Sequence, residues 1–501
     1  MHTEVVCSNQ TLPKSHKKQQ VNTIAMITFW SQFSTYVLNT VLVLYLTRSV
    51  ILNGLGYSTG KAYLFIGVSQ AMGYIMPLVG GQMADKVLGL TRSILIGSAL
   101  LALTYLLVMI SGMLVPSLGD KVFIAAYALV PAMNSLLMGT ASAVVSKVYA
   151  SDQVKAKSGM TLFYMSINVG ALLATIVAPQ LLESRYGPLS IFAVVFIGKS
   201  VGSLNFLYRY RIYDDLMTAL DKAPFTLKKL GHLLAYLTSI YALTLYVYFH
   251  PDNASYLIGL GALLGMLGFF VKTMTLDGME RIKQLMAGFL MCEAVLFFVL
   301  YNQMNTTMIM FAKDYSDLSM FGFHVSPAHY QMLNPLMIIG LSMLLPKFYE
   351  FYQRFTIPYQ FAAGTVLAGI ALLIMYAGCY MSGLNHVNGN YLVLTYAIMT
   401  LAELWVSAVG LSMIGLYCSH KMIAFAMGVW YLANSLSHII TGQLAQIVAL
   451  PEKGIAYETG LSTYQNYYFD MGIVAVFIGI GMWFLAAYLS KYMAKKGIVL
   501  A

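Results

Sequence analysis

Apolar runs long enough to cross a bilayer recur along almost the whole chain, separated by short polar turns. A bilayer core about 30 Å thick is spanned by about 20 helical residues. The runs predict helices at 23–47, 62–83, 93–114, 122–146, 159–181 and 189–208. A polar stretch follows, with Arg209, Arg211, Asp214, Asp215, Asp221, Lys222, Lys228 and Lys229. Two further spans are predicted at 231–249 and 255–273, then six at 284–312, 330–352, 358–381, 391–418, 422–449 and 470–493. The expected organisation is an N-tail over 1–22, a six-helix bundle over 23–208, a linker with two extra membrane helices over 209–283, a second six-helix bundle over 284–493 and a tail over 494–501. The fold class is an all-α polytopic membrane protein with fourteen transmembrane helices. Two such halves commonly enclose a midplane site and rock about it, and the extra pair reads as a structural insertion.

Composition agrees, with 59% of the 501 residues hydrophobic and 10% charged. The net charge of +10 would suggest an acidic partner in a soluble protein. Here it is explained by the loops. Of the 29 Lys and Arg, 22 fall on the side that holds both termini, six on the other, and Lys199 inside a span. Basic loops face the cytoplasm, so both termini are expected there, with no cleaved signal peptide. No basic cluster is interleaved with aromatics, so nucleic acid is not an expected partner. The partners expected are lipid and a small solute, in a self-contained monomer. Cys7, Cys292, Cys379 and Cys418 lack metal-ligand or CxxC spacing and read as packed thiols. Gly259-Leu260-Gly261 follows no strand, and no Walker A, HExxH or GxSxG pattern appears. No cofactor, metal or enzymatic role is therefore expected.

Ionisable groups at membrane depth are costly and mark sites. Only Glu293 and Glu403 among the carboxylates lie well inside spans. Glu403 has Ser407 one turn on, on the same helix face, and a carboxylate there can hold a substrate ammonium or pair within the fold. Polar stripes recur at helical spacing: Thr28, Gln32, Thr35, Tyr36 and Asn39; Tyr164 and Asn168; Asn302, Gln303 and Thr306; Trp430, Asn434, His438 and Thr441. Such stripes face a bundle interior, either lining a wet cavity or bonding helix to helix.

Several segments together are specific. Phe163-Tyr164-Met165-Ser166-Ile167-Asn168-Val169-Gly170 resembles the FYxxINxG signature of the proton-dependent oligopeptide transporters, a branch of the major facilitator superfamily. Gly80-Gly81-Gln82-Met83-Ala84-Asp85-Lys86-Val87-Leu88-Gly89 is similar to the loop after that fold's second helix. Phe298-Val299-Leu300-Tyr301-Asn302-Gln303-Met304, Leu333-Asn334-Pro335, the Glu403 segment and Gly428-Val429-Trp430 resemble helices of its second half. The resemblance covers most of the chain and is strongest to bacterial di- and tripeptide permeases. It implies the major facilitator fold, a small peptide as cargo, proton symport as the family default and a bacterial inner membrane. It also implies a peptide pocket at Tyr36, Tyr74, Tyr164, Asn168, Asn334 and Glu403, with Glu403 on the peptide ammonium; Asn302, Ser407 and Trp430, from the polar helix faces, are expected to join it. Gly81, Asp85, Gly89 and Arg92 would form a gating loop.

The departures matter as much. Anchoring on Phe33 and Tyr36 puts Thr28, Ser31 and Gln32 at the Glu, Glu and Arg positions of the family's ExxER motif, and Met138 at its helix-four Lys. Two acids and two bases are gone together, so no buried charge is orphaned. The expectation is transport with coupling lost or rerouted, through His438, which titrates near pH ~6.5 when unperturbed, or through Glu293 or Glu403. A neutral His438 bonded to a carbonyl is the plainer reading. Alternatives are facilitated movement of another amine-bearing solute, or a transport-dead sensor or scaffold.

Overall fold

The computed structural model describes residues 14–138, 140–149, 153–352, 355–449 and 456–495. Cys7, Arg354, Lys453 and Lys496 lie outside them. Six helices form the first half: α1 (Lys14–Thr47), α2 (Thr59–Leu88), α3 (Leu90–Leu118), α4 in pieces (Asp120–Tyr127, Leu129–Leu137, Thr140–Val148), α5 (Gln153–Glu183) and α6 (Pro188–Tyr208). The inserted pair is α7 (Leu227–Phe249) and α8 (Pro251–Met274). The second half is α9 (Gly278–Tyr315), α10 (Leu333–Ser342 and Leu345–Phe351), α11 (Ile357–Ser382), α12 (Asn390–Tyr417), α13 (Ile423–Val448) and α14 (Tyr457–Lys495). Twelve are individually long and apolar enough to span a membrane; α1 and the broken α10 complete the expected fourteen.

The predicted span at 470–493 begins too late, since α14 starts at Tyr457. Its first turns carry Glu458, Gln465, Asn466 and Asp470, which masked the helix. Leu461, Tyr464 and Tyr468 recur at helical spacing and are buried, and that stripe is what docks it. The cysteines also differ from expectation: Cys379 and Cys418 are buried, but Cys292 is exposed on the outside of α9.

Within the first half, α1 packs on α5 and α6, and α3 on α6 and α4; within the second, α11 packs on α14 and α12, and α9 on α13. The halves meet along α2 and α13, and along α5 and α10. Glycine permits the first contact. A Cβ on Gly67 would lie 2.9 Å from the His438 carbonyl, and one on Gly442 would lie 2.9 Å from that of Tyr63. Gly170 likewise lets α5 press on α1, where a Cβ would meet the Phe29 carbonyl at 2.8 Å.

The inserted pair touches both halves. The Tyr236 hydroxyl of α7 lies 2.7 Å from Ser135 Oγ of α4, and Gln443 Nε2 of α13 donates to Ser255 Oγ of α8 at 2.7 Å. The outer face of α8 presents Leu257, Leu260, Leu264, Leu267 and Val271, all exposed, as a bilayer-facing surface requires.

Between α6 and α7 the linker folds back on the loop joining α2 to α3. Asp221 is buried there and accepts from Thr91 Oγ1 (2.8 Å), Arg92 N (3.0 Å), Thr218 N (3.0 Å) and Thr218 Oγ1 (2.9 Å). The Arg92 guanidinium donates to the carbonyls of Leu220 (3.3 Å), Asp221 and Ala223 (2.9 Å).

Candidate functional site

Two local breaks and one helix start shape the site. In α9, a 3₁₀ turn at Asn302–Asn305 interrupts the helix. Its polar side chains compete with the backbone: Thr306 Oγ1 donates to the Asn302 carbonyl at 3.0 Å, and Gln303 Nε2 to that of Val299 at 3.0 Å. The Tyr396 hydroxyl satisfies the Met304 carbonyl at 2.6 Å. Broken backbone at membrane depth persists only where its groups are so re-paired. In α12, the turn Leu404–Ala408 widens to a π-helix immediately after Glu403, a distortion frequent at functional sites. In α10, Asn334 stands in the first turn, just before Pro335.

These three features face a cavity of about 350 Å³ between the halves, within the size range of small-molecule sites, about 300–1,000 Å³. Tyr36, Tyr74, Tyr164 and Asn168 line it from the first half, and Asn302, Asn334, Glu403, Ser407 and Trp430 from the second. All nine expected pocket residues therefore share one cavity, and His438 joins them. Asn168 Nδ2 donates to the Tyr164 carbonyl at 3.0 Å. Trp430 is wedged against α12 where Gly410 leaves room, since a Cβ there would meet its ring at 2.1 Å.

Glu403 brings a carboxyl group into the cavity. Its Oε2 accepts from Asn334 Nδ2 at 2.6 Å, and the same amide nitrogen donates to Thr400 Oγ1 at 3.2 Å. The Tyr301 side chain lies beside the carboxylate. Among the described residues no Lys, Arg or His comes within 4.0 Å of it. Among the described residues that line the cavity none is Lys or Arg. The site therefore offers an unpaired carboxylate and a neutral aromatic and amide wall, a combination that accepts a cation.

Other expected residues fall elsewhere. Glu293 lies off the cavity, where Thr365 Oγ1 donates to Oε1 at 3.0 Å and Oε2 has no partner. Thr28, Ser31, Gln32 and Met138 do not line the cavity. Of the α1 stripe only Tyr36 and Asn39 reach it; Thr35 turns toward α6, and Gln303 of α9 is held by Thr307 and the Tyr467 hydroxyl. His438 stacks on Tyr74 across the halves, with centroids 5.2 Å apart. Asp85 is exposed, while Arg92 grips the linker; Gly89 is covered by Asp221, and a Cβ on Gly81 would meet nothing within 4 Å. Pocket residues beyond the expected set include Gln70, Tyr301, Gln331 and Tyr431. Tyr301 and Gln331 sit beside the Asn302 and Asn334 motifs, which was the only signal for them.

The model of the PTR2 family, described as the POT family, matches residues 91–461. The chain belongs to the POT family. Among POT relatives, dipeptide and tripeptide permease A of Pectobacterium carotovorum subsp. carotovorum (strain PC1) is 30% identical over 93% of this chain and 91% of its own length. Dipeptide and tripeptide permease A of Proteus mirabilis (strain HI4320) is 30% identical over 97% and 99%. A solved bacterial homologue of the human drug peptide transporters PepT1 and PepT2 superposes with a TM-score of 0.82 at 26% identity, over 95% of this chain and 99% of that one. A mutant of the peptide transporter POT in complex with alafosfalin superposes at 0.78 with 25% identity, over 94% and 95%. This is accordingly a multi-pass membrane protein of a peptide-transporter family.

Proposed function

We propose that this POT protein carries di- and tripeptides across the bacterial cytoplasmic membrane as a monomer with both termini cytoplasmic. The halves rock about the cavity, with Glu403 holding the peptide ammonium. The observation that carries this is the unpaired Glu403 carboxylate, fixed by Asn334 in a cavity lined from both halves. The permease relatives support the cargo class. Contact between Gly67 and Gly442 at one end supports a cavity closed there; Gly73, Gly81 and Gly428, nearer the linker end, have open space beside them. Proton symport is the family default, with His438 and Glu403 in the cavity and Glu293 outside it as candidate carriers.

The test is counterflow of labelled dipeptides in proteoliposomes. Truncating one partner of a buried charge pair costs about 2–5 kcal/mol, so Glu403→Gln should weaken a free dipeptide at least about tenfold. N-acetylation of the peptide should weaken wild type as much and the variant no further. Equal exchange by wild type and variant would remove Glu403 from the site.

A second reading is favoured by the missing wall cations: the cargo is another amine-bearing solute without a carboxylate. A dipeptide amide should then compete as well as the free acid. Ligand binding without any flux would point to a sensor instead.

A further inference from the structure

One buried charge has no role in the cavity. Lys199, midway along α6, is 4% exposed and does not line the cavity. Its Nζ donates to the Ser31 carbonyl at 2.8 Å, to Ser31 Oγ at 2.9 Å and to Thr35 Oγ1 at 2.9 Å, all on α1. Among the described residues no carboxylate lies within 4.0 Å of it. From α3 the titratable group facing it is Tyr105, whose ring centroid lies 5.7 Å away. On α5, Tyr164 lines the cavity and Glu183 is the helix's last residue.

A tie between α6 and α1 needs no charge. Serine or glutamine would bond helix to helix without bringing a cation into the bilayer, and ionisable groups persist there where function uses them. The oxygens around Lys199 suit both of its protonation states. The ammonium has three N–H donors and no acceptor, and three oxygens meet them. The neutral amine has two N–H donors and a lone pair. It can keep its bonds to the Ser31 carbonyl and Thr35 Oγ1, while the Ser31 hydroxyl turns its proton onto Nζ. Thr35 already donates its own proton to the Ser31 carbonyl at 3.0 Å, so in the neutral form every hydroxyl proton of the cage has an acceptor. A carboxylate partner would hold the proton in place, and among the described residues none is present. Thr35 is the residue before Tyr36 and one turn before Asn39, both in the cavity wall.

We infer that Lys199 is a reversible proton site coupled to transport, using the Ser31–Thr35 cage to exchange one proton in each cycle with water admitted as the halves rock. The N–H bond breaks, its electron pair stays on Nζ and the proton passes to water. The charged form ties α6 to α1 by three bonds and the neutral form by weaker ones, so protonation biases the packing of the helix that carries Tyr36. This rests on the transporter reading above.

The experiment uses the full chain in proteoliposomes with a pH-sensitive dye inside. Labelled dialanine is followed by counterflow without a gradient and by accumulation under an inward proton gradient. Wild type should accumulate peptide above equilibrium and acidify the lumen in step. Lys199→Met and Lys199→Gln should exchange within about twofold of wild type yet accumulate nothing above equilibrium. Lys199→Arg keeps the cation but cannot release a proton, so it should behave like them even if the neutral variants fold poorly. Gradient-driven accumulation by Lys199→Arg, or by a folded Lys199→Met, would overturn the inference. So would wild-type exchange without proton entry, and that result leaves the peptide reading standing. Absence of any dipeptide exchange by wild type would defeat both.

Discussion

Asp221→Ala removes the carboxylate that holds the linker to the start of α3. Asp221 caps two helical starts at once: Oδ1 takes the Arg92 N–H in the first turn of α3, and Oδ2 takes the Thr218 N–H and hydroxyl as a capping box on the linker turn. Loss of one cap costs about 0.5–2 kcal/mol, and hydrogen bonds to a charged group are worth about 1.5–3 kcal/mol each. The cap figure is measured on whole helix starts and so is the better guide, and two caps give about 1–4 kcal/mol. Gly89 makes the estimate testable. Its φ is +88°, and a Cβ would lie 2.3 Å from Asp221 Cγ. Gly89→Ala should therefore cost backbone strain of about 1–3 kcal/mol plus the displaced carboxylate. In an Asp221→Ala background only the strain remains, so the two changes should cost less together than their sum, by about 0.5–3 kcal/mol.

Unfolding in mixed micelles with rising SDS, followed by circular dichroism, measures all four corners of that cycle. Burial raises the Asp221 carboxyl, but the Arg92 N–H, the Thr91 hydroxyl and the two Thr218 donors outweigh it and hold its pKa below the usual value. A depressed carboxylate stabilises the fold above its unfolded pKa, about 3.9, and loses that contribution as pH falls through the folded value. Wild type should thus exceed Asp221→Ala by the full margin at neutral pH, with the gap closing only in acid. A margin under about 0.5 kcal/mol, the scale of an ordinary surface substitution, would refute the latch. Strict additivity with Gly89→Ala would refute the contact.

Gly442→Val should overpack the α2–α13 crossing by about 1–3 kcal/mol, only in the arrangement closed at that end, and so lower counterflow about tenfold while leaving SDS stability of the folded protein measurable. His438→Gln forfeits the ring stack on Tyr74, about 0.5–1.5 kcal/mol; dipeptide exchange should fall a few-fold, and gradient-driven accumulation should persist. Glu293→Gln keeps an acceptor for Thr365 and replaces a carboxyl group whose second oxygen has no partner. With the Thr365 bond kept, its stability should stay within about 1 kcal/mol of wild type, the centre of the distribution for single substitutions, and a loss above about 3 kcal/mol in SDS unfolding would show that a charge is held there.

Helix number and halves were legible because hydropathy over 20 residues does not depend on tertiary context. The site was legible in part, and the misses have a common cause. A polar stripe fixes a helix face, but neighbouring helices decide which residues of that face reach open space. Tyr36 and Asn39 meet the cavity, while Thr35, on the same stripe, is claimed by Lys199 from α6. Gln303, next to Asn302, is instead turned to the Tyr467 hydroxyl by the 3₁₀ break. That bond joins the break to α14, and a partner so distant in sequence is not visible from either segment.

The same limit changes the meaning of the charges missing from α1. From sequence, Thr28, Ser31, Gln32 and Met138 read as a neutral set from which acids and bases left together. That holds for those four positions, but not for their surroundings. Ser31 receives an ammonium from 168 residues away, through both its carbonyl and its hydroxyl. A glutamate at Ser31 would have neutralised Lys199, whereas serine leaves it surrounded by oxygens that both donate and accept. The charge at this place on α1 has therefore not vanished; it sits on α6 without a counter-ion. Restoring one gives a direct check on that view. Ser31→Glu should form a buried ion pair with Lys199, hold its proton and abolish gradient-driven accumulation, while dipeptide counterflow through the Glu403 cavity continues. Accumulation that survives Ser31→Glu would mean the proton travels elsewhere.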